Sequence, residues 1–358
     1  MTNSDVDRLY LLAAIRLAEK GLYTVTRNNP RVGCLLVKNG RVIGRGFHSR
    51  DGADHAEIVA LKRCEESPKS ATAYVSLEPC CVQGRTPPCT AALIEAGINR
   101  VVCAEKDPHP NVCGKGIEQL KHSGIEVSLF ELTEARHVNP GYRKRIANAM
   151  PFVRIKTGMS LDGRIAMSDG NSQWITSPEA RSDVQRLRAR SGAIISGIGT
   201  VLRDNPRFTV REDRYAGCTP LRIVFDTNGR MPADAEILRH KGDVIVVCNA
   251  NAEIPCKLEK WTHTDAKADL AGVLSRLAER GVNEVLVEAG SNLTGSFIAS
   301  GLWDELVVFV APKLLGSSAM PLANLKIEDL CDSVNGRVES IARIGPDLRI
   351  VISNSTMD

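Results

Sequence analysis

Three possible metal ligands, His55, Cys80 and Cys89, lie too far apart in the chain for one loop to hold them. A fold that uses them must bring three segments to one point. His55 sits in His55-Ala56-Glu57 at an expected helix start, Cys80 follows Glu78-Pro79 at an expected strand end, and Cys89 opens the next expected helix. One His and two Cys leave a fourth position for water, the pattern of a catalytic rather than a structural zinc. Zinc in such a site lowers the pKa of water to roughly 7, so a nucleophile exists at neutral pH. Glu57, two residues from a ligand, is placed to move protons as general acid and base and not to bind metal. The start of a helix also favours the Cys89 thiolate.

Each residue alone has a plainer reading, since buried cysteine is common and His-x-Glu occurs by chance. The order is what carries meaning: it is the order of zinc deaminases that attack an amine-bearing ring carbon. A structural zinc needs a fourth protein ligand, which Cys81 is placed to supply.

The 358-residue length allows about two domains. The hydrophobic share of 43% and charged share of 25% are those of a globular enzyme, and the 4% aromatic share argues against a base-stacking surface. Lys plus Arg (46) barely exceed Asp plus Glu (42), so no overall field recruits a polyanion. No apolar run approaches the roughly 18 residues of a membrane span, and the start lacks a signal-peptide core, so the expected location is the cytoplasm. There the eleven cysteines read as thiols.

Helical spacing over Asp5 to Lys20 predicts an opening helix, and Asn39-Gly40 predicts a hairpin between Val32 to Val37 and Val42 to Phe47. Asp54 is expected to cap a helix through Glu65. Strands are expected at Ala71 to Leu77, Arg100 to Ala104 and Ile125 to Phe130, with a helix opened by Thr86-Pro87-Pro88 and a basic helical stretch to Ala149. Pro151 marks the boundary, which gives domains over 1–149 and 150–358. The second restarts with strands at Phe152 to Lys156, Ala193 to Ser196, Leu221 to Phe225, Val244 to Cys248, Val285 to Glu288 and Leu306 to Val310. The alternation makes both halves α/β. Val287-Glu288 running into Ala289-Gly290-Ser291 is a strand, glycine and helix start, a cradle of backbone N–H groups for an anion or a tight turn.

The general deaminase signature has two residues between its cysteines, whereas here eight separate Cys80 from Cys89, including Gly84-Arg85-Thr86-Pro87-Pro88. That spacing resembles the deaminase half of the bifunctional riboflavin-biosynthesis deaminase/reductase family. So do Asn29-Pro30-x-Val32-Gly33, Gly44-x-Gly46-x-His48 and Asp107-Pro108 followed by Gly114-x-Gly116. The resemblance implies a cytidine-deaminase-like three-layer domain in which Asn29, His48, Arg85 and Asp107 hold a phosphorylated pyrimidine. Two departures stand out: Cys81-Val82-Gln83 where the family usually has Ser-His-His, and His109 where it has Asn.

The second half is similar to the same family's reductase domain through Lys156-x-Gly158-x-Ser160-Leu161-Asp162-Gly163-Arg164, Ser172-Gln173-Trp174-Ile175-Thr176, Asp204-Asn205-Pro206 and Val287-Glu288-Ala289-Gly290. This implies a dihydrofolate-reductase-like α/β fold that uses NADPH. By the same resemblance Gly158, Trp174, Thr200, Asp204, Thr227 and Gly290, Ser291, Asn292, Leu293, Thr294, Gly295 and Ser296 line the cofactor site. Ser172, Arg188, Phe208, Arg211 and Glu288 touch substrate, with Lys156 or Glu288 as a proton source. Trp174 and Phe208 could equally be core residues. A homo-oligomer with a small-molecule substrate and no nucleic-acid or membrane partner is implied too. Two rivals stay open: a nucleic-acid or nucleotide deaminase with a non-catalytic nucleotide-binding C-terminal domain, and a zinc-stabilised nucleotide-sensing module.

Overall fold

A computed structural model describes the chain except residues 1, 24–27, 85, 216, 255–257, 264–268 and 356–358 and the side chain of His263. The chain divides into two compact units, Met1–Ala149 and Met150–Asp358.

The first unit runs α1 (Asn3–Ala18), β1 (Gly33–Lys38), β2 (Arg41–Phe47), α2 (Ala56–Lys62), β3 (Thr72–Val75), α3 (Cys89–Glu95), β4 (Arg100–Cys103), α4 (Lys115–His122), β5 (Glu126–Leu129), α5 (Thr133–Val138) and α6 (Pro140–Asn148). Its sheet has the order β2-β1-β3-β4-β5. β1 pairs antiparallel with β2 and β3, whereas β3, β4 and β5 are parallel. Alternation along β1 explains the layers. Cys34 and Leu36 pack with Ala56, Ala60, Leu93 and Leu120 on one face, while Leu35 and Val37 meet Leu11, Ala14, Ile15 and Val138 on the other. This is the expected three-layer arrangement.

Two expected caps move. α2 starts one residue after His55, whose extended backbone (φ −69°, ψ 161°) makes it the cap residue, and Asp54 pairs instead with Lys62 at 2.6 Å. Pro88, not Thr86, precedes α3. His55 spends its side chain on the Cys80 and Cys89 sulfurs and on the Thr86 hydroxyl. The basic stretch to Ala149 is two helices because Pro140 cannot continue α5.

The second unit contains β6 (Phe152–Ser160), β7 (Arg164–Ala166), α7 (Pro178–Arg190), β8 (Ala193–Gly197), α8 (Ile198–Asp204), β9 (Leu221–Phe225), β10 (Val244–Asn249) and β11 (Glu259–His263). It continues through α9 (Leu270–Glu279), β12 (Glu284–Val287), α10 (Ser291–Ala299), β13 (Glu305–Ala311), β14 (Met320–Pro321), β15 (Gly336–Ile344) and β16 (Asp347–Asn354). The main sheet is β11-β10-β9-β8-β12-β6-β13-β16-β15, parallel from β11 through β13 and closed by an antiparallel hairpin. Val153, Ile155, Ile195 and Ile223 face α9 and α10, whereas Ile194, Val224, Val246 and Leu286 face α7 and α8. Strands buried on both faces read as the continuous apolar runs seen in the sequence.

Candidate active sites

In the first unit the starts of α2 and α3 and the segment after β3 converge. His55 Nδ1 lies 3.2 Å from Cys89 Sγ and 3.4 Å from Cys80 Sγ. The three ligand atoms fall within 4.8 Å of one another, and Cys81 does not join them. Zinc bonds of about 2.1 Å to nitrogen and about 2.3 Å to sulfur at tetrahedral angles call for N···S edges of about 3.6 Å. The residues therefore fit zinc. The other ring nitrogen, Nε2, is 3.3 Å from Thr86 Oγ1, an outer contact of the kind that fixes a ligand's tautomer and ring plane. Sequence reasoning gave Thr86 only a capping role.

The thiols are not equivalent. The Cys89 thiol, outweighing burial and helped by His55 and the Cys89 backbone N–H, holds Cys80 well below the usual range. The Cys80 hydrogen bond and burial push Cys89 up. The helix does contribute, because its first N–H donates to Cys80 Sγ at 3.4 Å. Glu57 is 3% exposed. Burial first, then the Cys80 charge, pushes its carboxyl up to about 7, where one group can both take and give a proton near neutrality.

Around this cluster, Asn29 Nδ2 approaches His48 Nε2 at 3.1 Å and His48 Nδ1 approaches the Asp54 carbonyl at 3.1 Å. The His48 ring meets the His55 ring edge-on with centroids 5.4 Å apart. Burial lowers the His48 pKa, so a neutral ring donating from Nδ1 and accepting at Nε2 satisfies both contacts. Asp107 accepts from the His109 backbone N–H (2.8 Å) and the Tyr142 hydroxyl (3.0 Å), and burial pushes it up to about 6. Cys81 Sγ points at the Asn111 carbonyl, 3.9 Å away. Arg85 lies outside the described residues.

Glu78, in sequence merely the acidic residue of Glu-Pro-Cys, is the joint of this region. Its buried carboxylate accepts backbone N–H bonds from Asp107 (3.2 Å), Gly114 (2.9 Å), Gly116 (3.0 Å) and Ile117 (3.2 Å). Each carboxylate oxygen takes two donors, so an amide nitrogen in place of one oxygen faces two N–H groups. Glu78→Gln should lower stability by about 2 to 4 kcal/mol, measured by denaturant unfolding. A loss below about 0.5 kcal/mol, the usual effect of a surface substitution, would contradict this reading.

In the second unit a cleft of about 850 Å³ opens at the carboxyl ends of the parallel strands, the usual ligand position in open α/β sheets. It gathers Gly158, Trp174, Thr200, Asp204, Gly290, Ser291, Asn292 and Leu293 from the expected cofactor set. Ser172, Arg188, Phe208, Arg211 and Glu288 from the expected substrate set also line it. Thr227, Thr294, Gly295 and Ser296 are not in its lining. Thr294 is buried with its hydroxyl on the Ala289 carbonyl, and a Cβ on Gly295 would meet the Asn324 carbonyl at 2.3 Å. Trp174 is 61% exposed and lies under Arg181, whereas Phe208 is 4% exposed beneath Arg188.

Glu288, just after β12, is clamped by Arg188 through both oxygens, at 2.6 and 2.9 Å, and Lys156 Nζ stands 3.9 Å away. Burial pushes the Glu288 carboxyl up, but the Arg188, Lys156 and Arg211 charges together hold it below its ordinary value. Burial lowers Lys156, opposed by Glu288 and assisted by Arg188. Gly290 precedes α10 without a side-chain cap, which leaves the helix's first N–H groups free to meet an anion. Such a cradle with Gly158 beside it fits a dinucleotide.

Two family profiles match the chain: the cytidine and deoxycytidylate deaminase zinc-binding region over residues 4–105 and the RibD C-terminal domain over 151–350. Riboflavin biosynthesis protein RibD of Escherichia coli K12 is 42% identical, with 96% of this chain and 98% of that protein covered. The protein of the same name from Haemophilus influenzae is 41% identical, with 97% of each covered. Among solved structures, Acinetobacter baumannii RibD superposes with a TM-score of 0.91 at 38% identity, covering 98% of this chain and 99% of that one. A Thermotoga maritima diaminohydroxyphosphoribosylaminopyrimidine deaminase/5-amino-6-(5-phosphoribosylamino)uracil reductase gives 0.89 at 32% identity, covering 99% and 100%.

Proposed function

The chain belongs to the RibD family of riboflavin-biosynthesis enzymes, and from that premise we propose that its two sites act in succession on one phosphorylated pyrimidine. It is a bifunctional deaminase/reductase, a zinc-binding hydrolase domain followed by an oxidoreductase domain. The first reaction is hydrolytic removal of the 2-amino group of 2,5-diamino-6-(5-phosphoribosylamino)pyrimidin-4(3H)-one as ammonia. The second is NADPH reduction of the ribosyl group of the resulting uracil to ribityl. The observation that carries the reading is the convergence of His55, Cys80 and Cys89 around one point beside buried Glu57.

Zinc would be held by His55, Cys80 and Cys89 and would supply Lewis acidity and a water nucleophile near neutral pH. Glu57 would take one proton from the attacking water and deliver it to the ring nitrogen, then carry the second from the added hydroxyl to the amino group that leaves as ammonia. Asn29, His48, Arg85 and Asp107 orient the pyrimidine and its phosphate. Thr86 fixes the His55 ring. In the second site NADPH supplies hydride when bound. Arg188 and Arg211 hold the substrate phosphate with planar paired donors, and the Lys156–Glu288 pair moves the proton that accompanies reduction at C1′. Gly158, Trp174, Thr200, Asp204, Thr227 and the stretch Gly290 to Ser296 form the cofactor's surroundings.

Metal analysis of purified protein should give about one zinc per chain, and Cys80→Ala should lower zinc content and ammonia release together. Reduction of the deaminated substrate should survive in the same variant. Full deaminase activity in protein stripped of zinc would overturn the first half of the proposal.

A further inference from the structure

Asn29 lies in the connection between α1 and β1, and Asp107 in the connection between β4 and α4. Loops can hold a substrate in one pose only if something holds the loops. Both of these are fastened to the same element, α6.

The Asn29 loop is tied on both sides. Asn139, the residue before α6, is buried and meets the Arg31 backbone twice, its Oδ1 accepting the N–H and its Nδ2 donating to the carbonyl, each at 2.8 Å. Arg145 donates to the Asn28 carbonyl at 2.7 Å. Asn29 and Pro30 stand between these anchors. Positions 139, 142 and 145 recur every three residues, which sets them along one side of the helix.

Between the anchors on that side stands Tyr142. It is buried, with the Arg145 guanidinium over its ring at 5.7 Å, and its hydroxyl donates to Asp107 Oδ1 at 3.0 Å. Burial, then the Asp107 charge, pushes the hydroxyl pKa up, so near neutral pH it keeps its proton and donates. The His109 backbone N–H donates to the same oxygen at 2.8 Å. Oδ1 therefore takes two donors, whereas Oδ2 takes no hydrogen bond among the described residues. The terminal torsion of an aspartate is broad when nothing restrains it. One donor leaves the carboxylate a pivot; two donors from different elements fix its plane. Oδ2 is then an acceptor set for a ring or amino N–H of the pyrimidine.

Resting on the reading of Asp107 as a residue that orients the pyrimidine, we propose that Tyr142 is a positioning residue of the deaminase. It turns the Asp107 carboxylate so that Oδ2 meets the pyrimidine, from a helix that also secures the Asn29 loop.

The test is steady-state deamination of the diaminopyrimidine phosphate by the full-length zinc protein, for wild type, Tyr142→Phe, Asp107→Asn and the double variant. Zinc content checks that the first unit is folded in each. Phenylalanine keeps the ring under Arg145 and removes only the donor. A residue that holds the ring alike in ground and transition states acts on KM. Tyr142→Phe should therefore raise KM by about fivefold to fiftyfold, in the range of one hydrogen bond to a charged group, and leave kcat within about threefold. Asp107→Asn should raise KM at least as much, because its amide can present N–H where Oδ2 accepted. With that amide in place, Tyr142→Phe should change KM by less than about twofold further. Reduction of pre-deaminated substrate should be the same in all four proteins.

A KM for Tyr142→Phe within about twofold of wild type at full zinc overturns the proposal. An equal rise in both backgrounds does so too, since Tyr142 would then act without Asp107. Loss of zinc, or a fall in kcat alone, makes Tyr142 part of the metal scaffold and likewise overturns it. If Asp107→Asn keeps the wild-type KM, Asp107 does not hold the pyrimidine, and the proposal falls while the deaminase reading stands. If wild type releases no ammonia, the deaminase reading itself fails.

Discussion

Glu57→Gln should cut ammonia release by a factor of about 10² to 10⁴, the usual range for a positioned general acid and base, with zinc content unchanged. The side chain is buried beside the Cys80 charge, so its ordinary carboxylate behaviour is already altered to titrate at about 7. An amide of the same shape keeps the packing and loses the proton. Because Glu57 is not one of the three clustered ligands, the metal should stay. NADPH oxidation on pre-deaminated substrate should remain at the wild-type rate, since the second cleft draws its lining from Lys156 onwards. Loss of zinc from Glu57→Gln would contradict its assignment as a proton carrier.

Arg188→Ala should have the largest effect on reduction. Arg188 and Glu288 are both nearly buried and joined by two hydrogen bonds. Breaking a buried pair by removing one partner costs about 3 to 5 kcal/mol, because the remaining charge is stranded. Reduction should fall by at least about 10², since a phosphate contact and the setting of Glu288 are lost together. The double variant Arg188→Ala/Glu288→Ala separates the two effects. It should be less destabilised than the sum of the singles, by about 1 to 3 kcal/mol of coupling. Additive losses would mean that Glu288 does not depend on Arg188 for its charge. Kinetics of reduction and denaturant unfolding of the three variants supply the measurement.

The convergence of His55, Cys80 and Cys89 was legible in the sequence because metal ligation demands particular side chains in a particular order, and those survive any change in the loops between them. The hairpin, the other strands of the first sheet and the parallel strands β6, β8, β9, β10, β12 and β13 of the second were legible for a similar reason: Asn39-Gly40 and continuous apolar runs have one cheap conformation each. What escaped depends on tertiary closure. Glu78 looks like one acidic residue before a proline, and its four backbone donors arrive from residues 107–117 only once the sheet has formed. Thr86 reads as a helix cap until His55 is brought opposite it. α4 spans only the eight residues Lys115–His122, too short a stretch for apolar spacing to separate a helix from a loop. β15 lies at the sheet edge with Val338 and Ile341 exposed, so its pattern lacks the buried alternation that marks a strand.

The central claim is that deamination at the His55, Cys80 and Cys89 cluster precedes reduction in the Lys156–Glu288 cleft. Ammonia and NADP⁺ should be counted in one reaction started from the diaminopyrimidine phosphate with NADPH. The account predicts that no NADPH is consumed before ammonia appears and that both products reach one equivalent per substrate. NADPH consumption without ammonia release would contradict it.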